Sequence, residues 1–373
     1  MSGFVVVSVV QGGVWFCRFV ASGRTSPNRA QSQDDATRNN PGVNMPRMCV
    51  LVTGGAGFVG SHFVKAATAE GLSLVVLDDL SGQSPGAKPA VAPSVPFYRG
   101  DIGDLALVRN LCEKHAVSAL VHFAGKIQVG ESVRKPALYF DVNLARSLNL
   151  LEAVRQAGVS QVVFSSTAAV YGNPVRVPIP ETAETAPVNP YGFSKLSLEW
   201  VLHSYAAAYG LRYAALRYFN AAGAHPDGTL AERHDPETHL VPLLIDAARG
   251  RRPALQVFGT DYGTPDGTCV RDYIHVCDLA QAHLLALFEL GRGHNVGPLN
   301  LGTGQGYSVR QMLEATQRVL KIAVPHEFGP RRQGDPASLV ACAKAAEKQL
   351  GFVPKHSDIH TLIEDADRAR QAL

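Results

Sequence analysis

Several features are scarce or missing in this chain. It has no stretch of about 20 apolar residues, so no membrane-spanning helix is expected. It has no run of five basic residues, and its formal net charge is only +3, which argues against a nucleic-acid partner. The six cysteines, Cys17, Cys49, Cys112, Cys269, Cys277 and Cys342, form no C-x-x-C pair. A disulfide framework or zinc site is therefore not expected, and reduced thiols in a cytoplasmic protein are. Charged residues make up 18% and hydrophobic residues 46%, a globular rather than a disordered balance. The 373 residues suffice for a sizeable core and for two domains of roughly 100–200 residues each.

Residues 1–45 differ from the rest. An apolar run over 4–16 precedes a polar stretch over 21–45. No basic residue comes before the apolar run, so a secretory signal fits poorly. Arg18, Arg24 and Arg29 suit a transit peptide, but Asp34 and Asp35 do not. A disordered extension, or translation starting at Met45 or Met48, is expected instead. Fold reasoning begins at residue 46.

The pattern then becomes regular. Residues 48–53 are an apolar run, expected as a buried parallel strand. Gly54, Gly57 and Gly60 follow at G-x-x-G-x-x-G spacing. Glycines there permit a tight turn and close approach of a pyrophosphate to a helix N-terminus. A helix is expected over 61–70, ended by Gly71, and a second strand over 72–77 leads to Asp78. A carboxylate at Asp78 suits a ribose hydroxyl and repels a 2′-phosphate. No arginine lies within 79–83, so NAD is expected rather than NADP.

Further strands are expected over 96–98, 119–123 and 161–165, with a helix over about 142–156. Alternating strands and helices imply a parallel sheet with ligands at its C-terminal edge. Asp101, Ile102 and residues 123–126 fall at such strand ends. Asp101 suits either the adenine edge or the cap of the next helix.

Tyr191-Gly192-Phe193-Ser194-Lys195 is Y-x-x-x-K, whose two outer side chains share one helix face. A free tyrosine has a pKa of about 10, and a nearby ammonium plus a nicotinamide cation would lower it towards use as a base. Asn189-Pro190 is expected to open that helix. Ser165-Ser166-Thr167 ends a core strand, where a hydroxyl can meet a substrate.

Together these residues resemble the extended short-chain dehydrogenase/reductases, and among them the UDP-glucose 4-epimerases. The resemblance spans about 45–351. It rests on VTGGAGFVGSH (52–62), HFAGKIQVGESV (122–133), SSTAAVYG (165–172), NPYGFSKLSLE (189–199), LRYFNAAGAHPDG (216–228), DGTCVRDYIHVCDLA (266–280), NLGTGQGYSV (300–309) and GPRRQGD (329–335). It implies an α/β fold: a doubly wound parallel sheet (Rossmann) over 46–220, and a smaller α/β substrate-binding lobe over 221–373, with about 270–290 returning to the first domain.

The resemblance also implies roles. Tyr191 is expected as acid and base at the sugar 4-hydroxyl, Lys195 on the nicotinamide ribose, and Thr167 on the reacting oxygen. Phe58, Val59, Asp79, Phe123, Ala124, Gly125, Lys126, Asn143, Ser165 and Phe219 join the cofactor set with the glycines, Asp78, Asp101 and Ile102. Asn220, His239, Leu240, Phe258 and Tyr273 are expected around the nucleotide sugar. Arg271 and Arg332 are expected on the diphosphate, and Asp335 on the uridine ribose. For Arg271 the competing expectation is an ion pair with Asp266 or Asp272. The implied activity is C4 epimerisation of UDP-glucose and UDP-galactose with retained NAD, in a homodimer.

Departures stand beside this. Lys126 lies one place before the family's usual lysine, at Ile127, and Asn143 one place after its usual asparagine, at Val142. Leu339 falls at the position expected to limit pocket size, favouring unmodified hexoses. A 4,6-dehydratase would want acids after Thr167, where Ala168-Ala169 stand. A uronate 4-epimerase would share the pattern, and so would a non-catalytic NAD sensor, although such a sensor has no need of both Tyr191 and Lys195. His356 and His360 have H-x-x-x-H spacing without a third ligand, so a solvated C-terminal helix is expected there and no metal. Ser165 and Ser166 lack a G-x-S-x-G elbow.

Overall fold

Val50 and Val52 point to one side of the first strand and Leu51 to the other, and both sides are buried. That requires hydrophobic cover on two faces, and the rest of the chain supplies it. The computed structural model describes residues 48–82, 90–234, 236–332 and 335–372. The expectations for residues 1–45, the first part (85–89) of the proline-rich loop over 85–96, and Gln333 and Gly334 lie outside the described residues.

The first strand, β1 (Cys49–Thr53), is followed by β2 (Ser73–Asp78), β3 (Phe97–Arg99), β4 (Ala119–His122), β5 (Gln161–Thr167) and β6 (Arg212–Tyr218). With Gly297–Leu301 they form a parallel seven-stranded sheet in the order Gly297–Leu301, β6, β5, β4, β1, β2, β3. The strand order reverses between β1 and β4. A doubly wound sheet opens its ligand crevice at that place.

Helices α1 (Phe58–Ala69), α2 (Leu105–His115), α5 (Arg146–Gln156), α6 (Pro190–Tyr209) and α8 (Val276–Gly291) cover the two faces, with α3 (Val129–Arg134) and α4 (Pro136–Phe140) packed on α6, while α7 (Leu240–Ala248) belongs to the second lobe. Phe63 and Val64 of α1 and Leu279, Leu284 and Leu287 of α8 share one core with Val52, Val163 and Leu216. Leu111 of α2, Leu150 and Val154 of α5, and Leu198 and Leu202 of α6 share the other with Leu51, Leu77 and Phe164.

Beyond β6 the chain makes smaller sheets. Asn220–Ala222 runs parallel to Tyr273–His275. Val270–Arg271 lies between Tyr307–Ser308 and Ser338–Leu339. Leu255–Phe258 pairs with His326–Gly329. A separate core beneath them joins Leu244 and Ile245 of α7 to Val257, Met312 and Leu362.

Some boundaries differ from expectation for identifiable reasons. Helix α1 starts at Phe58 rather than 61, because Gly60 has no Cβ and its turn closes against the Gly54 carbonyl. Strand β5 runs on to Thr167, paired residue by residue with β6. The helix expected over 142–156 begins with a π-helical turn, Asp141–Ala145, before α5. The last helix spans Ile359–Gln371 with Asp358 as its cap, so exposed His356 lies ahead of it and not on one face with His360.

Candidate active site

The glycine loop shows three separate requirements. Gly54 has φ +71°, and a Cβ there would lie 2.5 Å from the Ala124 nitrogen in the β4 loop. A Cβ at Gly60 would collide with the Gly54 carbonyl oxygen. A Cβ at Gly57 would meet only that oxygen, at 3.3 Å, and Gly57 is exposed. The outer two glycines therefore serve the fold, while Gly57 keeps backbone open to a ligand. Gly57 is the N-cap of α1, with no side-chain cap and no acid in the first turn. Such an end suits a pyrophosphate. Asp78 closes the loop: its Oδ2 accepts from the Ala56 N–H at 3.0 Å and its Oδ1 from the Leu80 N–H at 2.8 Å. Burial raises its pKa, and those two hydrogen bonds work against the rise. Asp79 is exposed and accepts from the Ser81 N–H. These residues fit a dinucleotide with a free ribose 2′-hydroxyl.

Asp101 accepts from the Gly103 N–H at 2.7 Å and pairs with Arg146. The cap of α2 is Asp104, accepting from the Leu107 N–H, which corrects the capping expectation for Asp101. Ile102 is buried in the core. Phe123 packs beside Phe63 and His283.

The strand end of β5 and the first turn of α6 meet across the sheet edge. Asn189 caps α6, its Oδ1 accepting from the Gly192 N–H at 2.9 Å, and Pro190 takes the first helical position. A Cβ at Gly192 would lie 2.6 Å from the Ala169 carbonyl oxygen, so this turn packs directly on the residues after Thr167. The Tyr191 phenol thereby comes close enough to the Thr167 hydroxyl to be influenced by it. Thr167 is buried, and its Oγ1 accepts from the Ala169 N–H at 3.1 Å. Burial raises the Tyr191 pKa and the Thr167 hydroxyl partly offsets it. Lys195 donates from Nζ to the Ser165 carbonyl at 3.0 Å. Burial lowers its pKa to about 8. The Tyr191 phenol of the protein alone is thus shifted up, opposite to the lowering expected from the ammonium and the nicotinamide together.

Asn143 explains how the β4 loop is held. Its Oδ1 accepts from the Lys126 N–H at 2.7 Å, and its Nδ2 donates to the Lys126 carbonyl and to Ser194 Oγ. The buried amide thus ties the crevice loop to α6 from a π-helical turn. The Lys126 ammonium is exposed and reaches Ser81 at 3.5 Å. Ser165 Oγ is hydrogen-bonded to the Tyr218 hydroxyl. Sequence reasoning missed Gly192 and the Ser194 link, although both lie inside the Y-x-x-x-K segment.

The second lobe brings several expected residues together. Asn220 and Tyr273 are direct partners in their parallel pair, and Arg271 is the partner of Leu339. Neither Asp266 nor Asp272 pairs with Arg271. Asp266 accepts from Thr268 and Ser308, while Asp272 accepts from Thr303, Gly304 and Ala341. The Arg332 guanidinium stacks over half-exposed Phe258, 4.6 Å from the ring centre. Arg331 is engaged instead by Asp261 and the Tyr262 ring. Burial raises the Cys269 thiol, Arg271 and Arg332 offset it, and Asp335 reinforces it. Phe219 packs with Leu339 beside Ala168 and Tyr171. His239 is the N-cap residue of α7, directly before Leu240. It stands in a cluster with Glu232, His234 and Glu237 that sequence reading did not anticipate.

Known proteins resemble this chain in sequence and in fold. Residues 50–302 match the family model described as the NAD dependent epimerase/dehydratase family. The chain is 50% identical over 317 residues to the UDP-glucose 4-epimerase of Azospirillum brasilense, covering 85% of this chain and 90% of that protein. The crystal structure of UDP-glucose 4-epimerase from Brucella ovis in complex with NAD superposes with a TM-score of 0.83 at 48% identity, covering 86% of this chain and 97% of the other. The structure of the Bifidobacterium longum UDP-glucose 4-epimerase with NAD+ and UDP gives 0.81 at 38% identity, covering 87% and 98%.

Proposed function

The chain belongs to the NAD dependent epimerase/dehydratase family, and from that premise we propose that it interconverts UDP-glucose and UDP-galactose by inverting C4. NAD, when bound, supplies the acceptor for the C4 hydride and the donor that returns it to the opposite face of the 4-keto sugar. The observation that carries the reading is the meeting of Tyr191 with Thr167 at the end of β5, with Lys195 one helical turn away.

Tyr191 takes the proton from the 4-hydroxyl and later restores it, and Thr167 steers the same oxygen. Lys195 holds the nicotinamide ribose. Gly57 and the bare end of α1 receive the pyrophosphate, and Asp78 the adenosine ribose. In the second lobe, Arg271 and Arg332 clamp the substrate diphosphate, with Phe258 under the uracil side, Asp335 on the uridine ribose, and Asn220, His239, Leu240 and Tyr273 around the sugar nucleotide. The mechanism requires room near C4 for the ketone to present both faces. Ala168 and Ala169 offer no acid or base for elimination, which favours epimerisation over dehydration.

The domain division is proposed as 46–220 and 221–373, with the return to the first domain extended through Gly297–Leu301, which joins the large sheet. A homodimer through α3, α4 and α6 is proposed on the exposed Val133, Phe140, Phe193 and Trp200. A monomeric mass for the wild type in solution would refute it. A cytoplasmic location is proposed from the free thiols of Cys49, Cys112, Cys269, Cys277 and Cys342, and a fractionation experiment tests it. Among the described residues no helix is long and apolar enough to cross a membrane.

The test is an assay of purified protein with UDP-galactose and no added NAD. UDP-glucose should appear without net NADH. Stoichiometric NADH or a stable keto product would place the chain among dehydrogenases or dehydratases.

A further inference from the structure

We propose that Glu232, His234, Glu237 and His239 form a binding site for one divalent transition-metal ion of the zinc class. The four residues lie in the loop that enters α7, spaced E-x-H-x-x-E-x-H. One donor atom from each falls within 4.8 Å of all the others.

The distances fit a shared centre. Glu232 Oε1 lies 2.8 Å from His239 Nδ1 and 3.1 Å from His234 Nδ1. Glu237 Oε1 lies 3.1 Å from His239 Nδ1 and 3.8 Å from His234 Nδ1. A tetrahedral ion with bonds of about 2.0–2.1 Å sets its ligands about 3.3 Å apart, and the four separations fall around that value. Glu232 is 4% exposed, yet its Oε1 has no hydrogen-bond partner, and nor does His234 Nδ1. His239 Nδ1 is hydrogen-bonded to Glu237 Oε1, whereas Glu232 Oε1 and His234 Nδ1, also 3.1 Å apart, make no hydrogen bond and are placed as two ligands aimed at a third point are placed.

The chemistry agrees. Two imidazole nitrogens and two carboxylates are a usual set for zinc, and the carboxylates neutralise its charge. The outer contacts hold the set in place. Glu237 Oε1 also accepts from the Thr238 and His239 N–H groups, and Arg370 donates to the Glu232 carbonyl. Coordination through Nδ1 leaves His239 Nε2 for another partner. The ion would thus pin the loop that carries His239 and Leu240. Metal binding itself does not depend on the epimerase reading.

The experiment uses the full-length protein stripped with a chelator, then titrated with Zn2+ in competition with a chromophoric chelator. One equivalent per chain is expected, with X-ray absorption giving a nitrogen and oxygen shell that contains two imidazoles. The E232Q/H234A variant, checked for fold by circular dichroism, should lose more than the 10- to 100-fold expected from an outer-shell change alone. Failure to take up a stoichiometric ion would overturn the proposal and leave an ion-pair network. Sulfur in the shell, or unchanged affinity in the variant, would overturn it equally. The absorption measurement on the wild type decides the matter even if the variant does not fold.

Discussion

Lys195 holds the carbonyl of Ser165 from one helical turn beyond Tyr191, at 3.0 Å. The bond joins α6 to the strand end that carries Thr167, so proton acceptor and steering hydroxyl share one rigid frame. Tyrosine is protonated at neutral pH to begin with, and burial raises the Tyr191 pKa further, with Thr167 offsetting only part of the rise. In the proposed reaction positive charge from the Lys195 ammonium and from the bound nicotinamide would lower it again so that the phenol can act as a base.

Removing the two groups should therefore have different consequences. Tyr191→Phe should retain NAD and lose about 10²–10⁴ in kcat, the usual share of acid–base catalysis. Lys195→Met should lose NAD from the purified protein. Turnover assays and cofactor content per chain separate the two outcomes. Intact turnover in Tyr191→Phe would refute the assigned role.

The glycines should also separate. Gly60→Ala forces a Cβ against the Gly54 carbonyl and should cost about 1–3 kcal/mol of stability, typical of overpacking. Gly57→Ala brings its Cβ to 3.3 Å from the same oxygen, a tight but far milder contact, so it should fold with little loss and bind NAD more weakly where the pyrophosphate approaches. Thermal melting with and without added NAD checks both.

Arg217 and Glu199 form a buried, bidentate ion pair behind the site. Glu199 also accepts from Ser166, and Arg217 also donates to Tyr171. Arg217→Met leaves Glu199 buried and unpaired, and should cost about 3–5 kcal/mol. The double variant Glu199→Leu/Arg217→Met should recover much of that loss. Denaturant titration of the single and double variants measures the coupling.

Acid should destabilise the fold through buried neutral histidines. Burial lowers His122 to about 3, and His62 and His283 to about 4. The unfolded chain binds protons at these positions below about 6.5, while the folded chain does not. Stability should therefore fall as pH drops from about 6.5 towards 4, by up to about 1.4 kcal/mol per pH unit for each histidine. His283→Phe should make the slope shallower by about one proton in unfolding experiments across that range.

Local chemistry was readable in the sequence where one segment carries it. The glycine turn, Asp78, the Asn189-Pro190 helix start and Y-x-x-x-K each lie within a few consecutive residues. What was hidden depends on distant neighbours. The π-helical turn that places Asn143 needs the Lys126 loop and Ser194 to make sense of it. The membership of Gly297–Leu301 in the large sheet depends on pairing with β6, about 80 residues earlier. Gly192 reads as an ordinary helix residue until Ala169 is seen against it. The Glu232–His239 cluster was open to inspection as a pattern, but only the folded loop brings its four donor atoms together.

The central claim is that the C4 hydrogen leaves and returns as hydride within one active site. UDP-[4-²H]galactose incubated with the purified protein tests it directly. UDP-glucose with deuterium retained at C4 is expected, because a hydride held on a bound nicotinamide does not exchange with water. Product carrying solvent hydrogen at C4 would contradict it.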